Sequence, residues 1–218
     1  MMKYSIIISV CTWLLGCSAP QQEQRINAEI ELPFYTEETF TPTWIDEDDD
    51  TYDSIHQIAP FSFIDQEGNT ITDETMKGKV YVANFFFSIC PGVCPKMTHN
   101  LHLVQEKYAT DDRVKILSHT VMPWVDSVAR LQEYATLNQI HADQWHLLTG
   151  DKTKIYELAR NSYFADEGFG KTVTTEEDFL HTEKLILIDS QRRIRGVYNG
   201  TLPLDVKRMM EDISTLLD

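Results

Sequence analysis

From Phe61 onward the apolar positions fall into short runs separated by stretches of helical spacing. Phe61-Ser62-Phe63-Ile64 alternates with the period of a strand, Gln66 to Asn69 turns at Gly68, and Thr70 to Thr72 returns, which predicts a hairpin. Val80 to Phe87 is almost unbroken apolar, the pattern of a central strand covered on both faces. Met97, Leu101, Val104 and Tyr108 then recur as one face of a helix. Val114 to Val121 predicts another strand, and Asp126 is placed to cap a helix carrying Val128, Leu131 and Ala135. Trp145 to Thr149 reads as a strand, followed by a helix capped by Asp151 with Ile155, Leu158 and Ala159 on one side. Leu185 to Ile188 and Ile194 to Tyr198 form a closing hairpin through Ser190 to Arg193. Asp205 to Leu217 is an amphipathic helix with Val206, Met209, Ile213 and Leu216 inward. Strands alternating with helices, then a hairpin and a last helix, imply a three-layer α/β domain over residues 58–218. Residues 161–180, rich in glycine and charge, read as an excursion inserted before the last hairpin.

The amino-terminal end follows a different pattern. Lys3 precedes an apolar stretch, Ile6 to Leu15, too short to span a bilayer as a mature helix, so residues 1–16 read as a signal peptide. The Leu14-Leu15-Gly16-Cys17 ending resembles a bacterial lipobox, in which Cys17 is lipidated and becomes the first residue. The expected location is extracytoplasmic, lipid-anchored to a bacterial membrane. Residues 17–57 read as a tether and a partly packed extension. Gln21 to Gln24 is polar, Leu32 to Tyr35 and Phe40 to Trp44 carry aromatics, and Asp46 to Asp50 is an acidic, solvated run.

Composition narrows the functions. With 218 residues, 42% of them hydrophobic, the chain supplies one well-packed domain and an appendage. A formal charge of −15 excludes a nucleic-acid partner and adsorption to an anionic lipid surface, both of which need clustered Lys and Arg. Of four cysteines, Cys11 leaves with the signal and Cys17 is taken by lipid, so Cys90 and Cys94 remain as thiols.

Those two lie in Phe87-Ser88-Ile89-Cys90-Pro91-Gly92-Val93-Cys94-Pro95, between a buried strand and a helix, at the sheet edge where α/β folds place their sites. Pro95 suits a first helical turn, where its missing N–H leaves no gap. Backbone N–H groups and the helix dipole there favour thiolate. An isolated close pair serves as a disulfide, a redox couple or a metal site. A loop this small gains little from cross-linking, which favours redox or metal use over pure structure. Two thiolates suit Cu(I), and an added imidazole completes a compact soft set. A peroxidase is disfavoured because Phe87 and Pro91 stand three residues before the two cysteines, where a hydroxyl is needed.

The cysteine segment, with Phe63-Ile64-Asp65, Trp145-His146-Leu147-Leu148-Thr149-Gly150-Asp151 and His181-Thr182 before Leu185-Ile186-Leu187-Ile188-Asp189, resembles the Sco/SenC family of copper-binding assembly factors for cytochrome c oxidase. The resemblance implies a thioredoxin-like fold with an added N-terminal hairpin, and copper bound by Cys90, Cys94 and His181. It implies as partners the copper-centre subunit of the oxidase, and another copper chaperone or a thiol reductant. Thioredoxin-type oxidoreductases carry a cis-proline loop facing their cysteines; no proline lies between Lys171 and Leu185, and His181 occupies that neighbourhood. The sequence departs from the family at Gly92, where an acidic residue is common, and at Leu180, where Asp commonly precedes the histidine. His119 to Trp124 stands where the family has Asp-Pro-x-x-Asp. The alternatives are a membrane-tethered thiol-disulfide reductase acting on a partner's copper-ligating cysteines, and a copper or redox sensor. Among the other histidines, His102 lies on the helix after the cysteines, where it could approach the site, but reads as an exposed helical histidine; His119 with Met122 resembles a soft-ligand pair near a strand end but reads as loop structure. His99 reads as exposed, and His141 and His146 as structural; His56 has no reading.

Overall fold

The elements follow the apolar pattern in order. In the computed structural model, which describes residues 31–165 and 182–217, β1 (Ser62–Ile64) and β2 (Thr70–Thr72) form the hairpin, and Gly68 supplies the positive φ of its turn. Then follow β3 (Val80–Phe86), α1 (Val93–Lys107), β4 (Val114–Thr120), α2 (Val128–Leu137), β5 (Trp145–Leu148) and α3 (Lys152–Asn161). After residues 166–181, which lie outside the described part and include most of the expected excursion, come β6 (Lys184–Ile188), β7 (Ile194–Asn199) and α4 (Pro203–Leu217).

The main sheet has the order β5-β4-β3-β6-β7. β3, β4 and β5 run parallel, while β6 and β7 are antiparallel to their neighbours, as in a thioredoxin-like sheet. The path from β3 through β4 to β5 steps twice in one direction, so right-handed crossovers place α1 and α2 on the same face. α4 joins them there, while α3 and the β1–β2 hairpin cover the other face. Every residue of β3 is buried, with Val82 and Phe86 facing α1 and Tyr81, Ala83 and Phe85 facing α3. Leu101, Val104, Leu131, Met209 and Ile213 are fully covered beneath the helices. Each large apolar side chain so buried contributes about 1.5–3 kcal/mol.

Both sheet edges are covered. Gln66, in the hairpin turn, donates its amide to the carbonyl of Trp145 (2.8 Å) and accepts the N–H of Leu147 (2.7 Å), which closes the β5 edge. At β7, Leu32 and Phe34 are buried, the N–H of Tyr35 reaches the carbonyl of Ile194 (3.0 Å), and Arg195 lies over the Phe34 ring at 4.0 Å. Arg195 also donates to the carbonyls of Leu32 and Pro33. The aromatic part of the extension is therefore bound to the domain, and residues 46–50 are exposed.

One cap differs from the sequence reading. Asp151 caps α3, accepting the N–H of Lys154 at 3.0 Å, but α2 is capped by Ser127, which accepts the N–H of Arg130 at 3.3 Å. Asp126 is fully buried and turned to the sheet edge, because three donors from β4 and the cysteine loop converge on it there.

Candidate metal centre

β3 ends at Phe86, and the chain runs through Phe87-Ser88-Ile89 to Cys90 before α1 begins. The turn closes where the N–H of Cys90 meets the carbonyl of Phe87 (3.2 Å), and the N–H of Val121 holds the carbonyl of Phe86 (2.8 Å). Ser88 is fastened by the Asp126 carboxylate, which accepts its N–H (3.1 Å) and its hydroxyl, while Arg130 donates Nε to Ser88 Oγ (2.9 Å).

This loop brings the two thiols together. Both are free, hydrogen-bonded to each other, with Cys90 partly exposed and Cys94 buried against Met97 and its neighbours in the α1 face of the core. Their environments push them apart. Burial alone would raise the Cys90 thiol, but the backbone N–H groups of Cys94, Gly92 and Val93 and the Cys94 thiol outweigh it, and the net direction is down. Cys94 is pushed up to about 12, chiefly by burial and then by Cys90, with the N–H of Phe87 opposing. The thiolate preference expected for the pair thus holds at Cys90 and is reversed at Cys94, where burial outweighs the backbone N–H groups of the helix start.

His181 and Cys17 lie outside the described residues. Thr182, the residue after His181, is buried and leads into β6, whose first residues lie level with the end of β3. Val93, between the cysteines, and Thr182 line one open cavity of about 530 Å³, together with Glu183, Lys184, Tyr198 and Asn199. Among the described residues no group of three or more His, Cys, Asp and Glu side chains could hold a metal ion.

The other histidines are accounted for elsewhere. His102 does not turn to the cysteines; its ring meets the edge of Trp145 at 5.5 Å and its Nδ1 faces Gln105. His119 is on the opposite face of the sheet from α1, fully buried among Phe61, Phe63, Phe85 and Tyr163, and Met122 is buried in the same cluster. The pair therefore offers nothing to the thiols. His146 bonds Asp65 (3.2 Å), His56 bonds the carbonyl of Ser162 (2.8 Å), and His99 and His141 are on the surface. The residue that sequence reasoning missed is Asp126. Asp126-Ser127 offers two capping types in a row, and the signal that separates them is Ser88, a polar residue among Phe87 and Ile89 that needs a partner.

The SCO1/SenC family model matches residues 49–218. The chain belongs to the SCO1/SenC family. A SCO1 homologue of Bacillus subtilis is 28% identical over 162 residues, 73% of this chain and 82% of that protein. The structure of BsSco, described as a member of the Sco family of cytochrome c oxidase assembly proteins with a disulfide switch, superposes with a TM-score of 0.62. It is 27% identical and spans 74% of this chain and 93% of that one. ScoI of Bradyrhizobium japonicum, solved with copper bound, gives a TM-score of 0.54 at 26% identity, over 72% and 98% of the two chains. The SCO1/SenC match starts within the acidic run, so residues 31–48 lie before the matched region.

Proposed function

We propose that this SCO1/SenC protein binds one copper ion through Cys90, Cys94 and His181 and delivers it to the copper centre of cytochrome c oxidase. The observation that carries this reading is the pair of free thiols bracketing the start of α1, with Val93 between them on the wall of a cavity that Thr182 also lines. Two soft sulfurs select copper in its reduced state, and a neutral imidazole completes the set. Binding releases the thiol protons, so loading requires the reduced pair. The similar Bradyrhizobium protein was solved with copper, and BsSco is named for oxidase assembly. Transfer then proceeds by ligand exchange at the open edge, with the oxidase subunit supplying replacement donors. We assign the protein to the outer side of a bacterial membrane, held by lipid on Cys17. Among the described residues no helix is long and apolar enough to cross a membrane.

Anaerobic titration of the reduced full chain with Cu(I) and Cu(II) tests the ligand set. One ion per chain is expected, and His181→Ala sharply weakens binding while the fold and the Cys90–Cys94 disulfide remain attainable. Unchanged affinity in His181→Ala overturns the assignment of the third ligand.

The opposite displacement of the two thiols favours a second reading, thiol-disulfide exchange, with exposed Cys90 attacking and buried Cys94 resolving. Turnover on a disulfide substrate that survives His181→Ala supports this reading over copper delivery.

A further inference from the structure

The Asp126 carboxylate has no solvent contact and no part in capping α2, which Ser127 performs. Burying a carboxylate is costly unless donors surround it. Here they do: Oδ2 accepts the N–H of Ser88 (3.1 Å) and the hydroxyl of Thr120, and Oδ1 accepts the hydroxyl of Ser88. Arg130, on the first turn of α2, adds its own bond to Ser88 Oγ (2.9 Å). Two of the three donors on Asp126 thus come from one residue, two positions before Cys90. Thr120 in turn accepts the N–H of Met122 (3.0 Å), and the N–H of Asp126 itself returns to the carbonyl of Met122 (2.8 Å). The carboxylate is therefore fixed to the end of β4 on one side and to the cysteine loop on the other.

Between β3 and α1 the loop's other restraints are local to it, including the N–H groups of Gly92, Val93 and Cys94 that face the Cys90 sulfur. Cys90 bonds back to Phe87, whereas Ile89, Pro91 and Gly92 are exposed. A ligand on so short and open a loop is only as well placed as its nearest fixed point, and groups that orient ligands are worth as much as 10–100-fold in affinity.

We infer that Asp126 is a positioning residue for Cys90: through Ser88 it sets where the Cys90 sulfur sits relative to Cys94, and hence the geometry and strength of copper binding. The inference rests on the copper reading for its ligand, and on the hydrogen bonds alone for its geometry.

The test compares Asp126→Asn, Ser88→Ala and Thr120→Val in the full chain. Copper affinity and the thiolate-to-Cu(II) charge-transfer band are measured beside two metal-free quantities. One is the urea midpoint. The other is the equilibrium in which the Cys90 and Cys94 thiols give two electrons and two protons to oxidised glutathione, forming their disulfide and two reduced glutathiones.

Asp126→Asn is expected to weaken copper binding by about 10–100-fold, to shift the band, and to move the glutathione equilibrium several-fold toward the dithiol. Ser88→Ala changes all three in the same direction and less. Thr120→Val removes the anchor of the same carboxylate on β4, so it lowers the urea midpoint and moves the other readouts in the same direction, less than Asp126→Asn does. The inference is overturned if Asp126→Asn alters stability alone. Should Asp126→Asn fail to fold, Ser88→Ala decides: wild-type affinity, band and glutathione equilibrium in that variant refute the positioning role. A wild-type chain that binds no copper sinks the copper reading instead, and the glutathione equilibrium still settles the role of Asp126.

Discussion

The imidazole of His119 lies on the ring of Phe85, with centroids 5.3 Å apart and planes 21° from parallel. Phe61, Phe63 and Tyr163 enclose it further, and neither ring nitrogen has a hydrogen-bond partner among the described residues. Burial holds its pKa down at about 3. The unfolded chain, with an ordinary value near 6.5, therefore takes up the proton first as pH falls. The His119 contribution is complete above about pH 6.5 and is lost progressively between there and about pH 3, with a slope of up to about 1.4 kcal/mol per pH unit. His146, lowered chiefly by burial and opposed by Asp65, acts in the same direction. In His119→Leu the loss of stability on acidification should be shallower, while stability at pH 7.5 stays within about 1 kcal/mol of wild type, because two unpartnered nitrogens leave with the ring. Urea unfolding at several pH values measures both, and copper affinity should not change.

Native alkylation should distinguish the two thiols. Cys90 is partly exposed with its pKa lowered, and Cys94 is buried with its pKa raised. Iodoacetamide at pH 7.5 is expected to label Cys90 about ten-fold faster or more, as read by peptide mass mapping of the reduced chain. In concentrated urea the difference should vanish. Equal native rates would contradict the described loop.

Loss of a helix cap should be felt in stability and not at the thiols. Ser127→Ala and Asp151→Ala each remove one side-chain acceptor from a helix start and should cost about 1 kcal/mol. The Cys90 labelling rate should stay at its wild-type value in both.

The extension supports the domain at the β7 edge. Phe34→Ala empties the space beneath Arg195 and should cost about 3 kcal/mol, seen as a lower urea midpoint. Copper binding should survive, since that contact is at the opposite end of the strands from Cys90.

The fold was legible because its strands and helices differ in period, and because the continuous run at β3 could only be a covered central strand. The thiol pair was legible because two cysteines bracket a strand-to-helix junction. Three features were not. Asp126 and Ser127 are equally good caps on paper, and only the approach of Ser88 across the sheet edge decides between them. The opposite fates of Cys90 and Cys94 depend on which of them the helix turns inward. His119, read as loop structure with a soft-ligand role as the alternative, lies in β4, where strand alternation aims it at the aromatic face, away from α1.

Residues 31–35 join the sheet beside Ile194, where β7 starts, and Cys90 stands beyond the end of β3, at the far side of the strands. A molecule moored by its amino terminus would therefore carry its thiols on the outward tip, turned from the mooring. Its thiol end and its moored end would then be separated by the length of the strands, so that a recipient approaches the one without meeting the other.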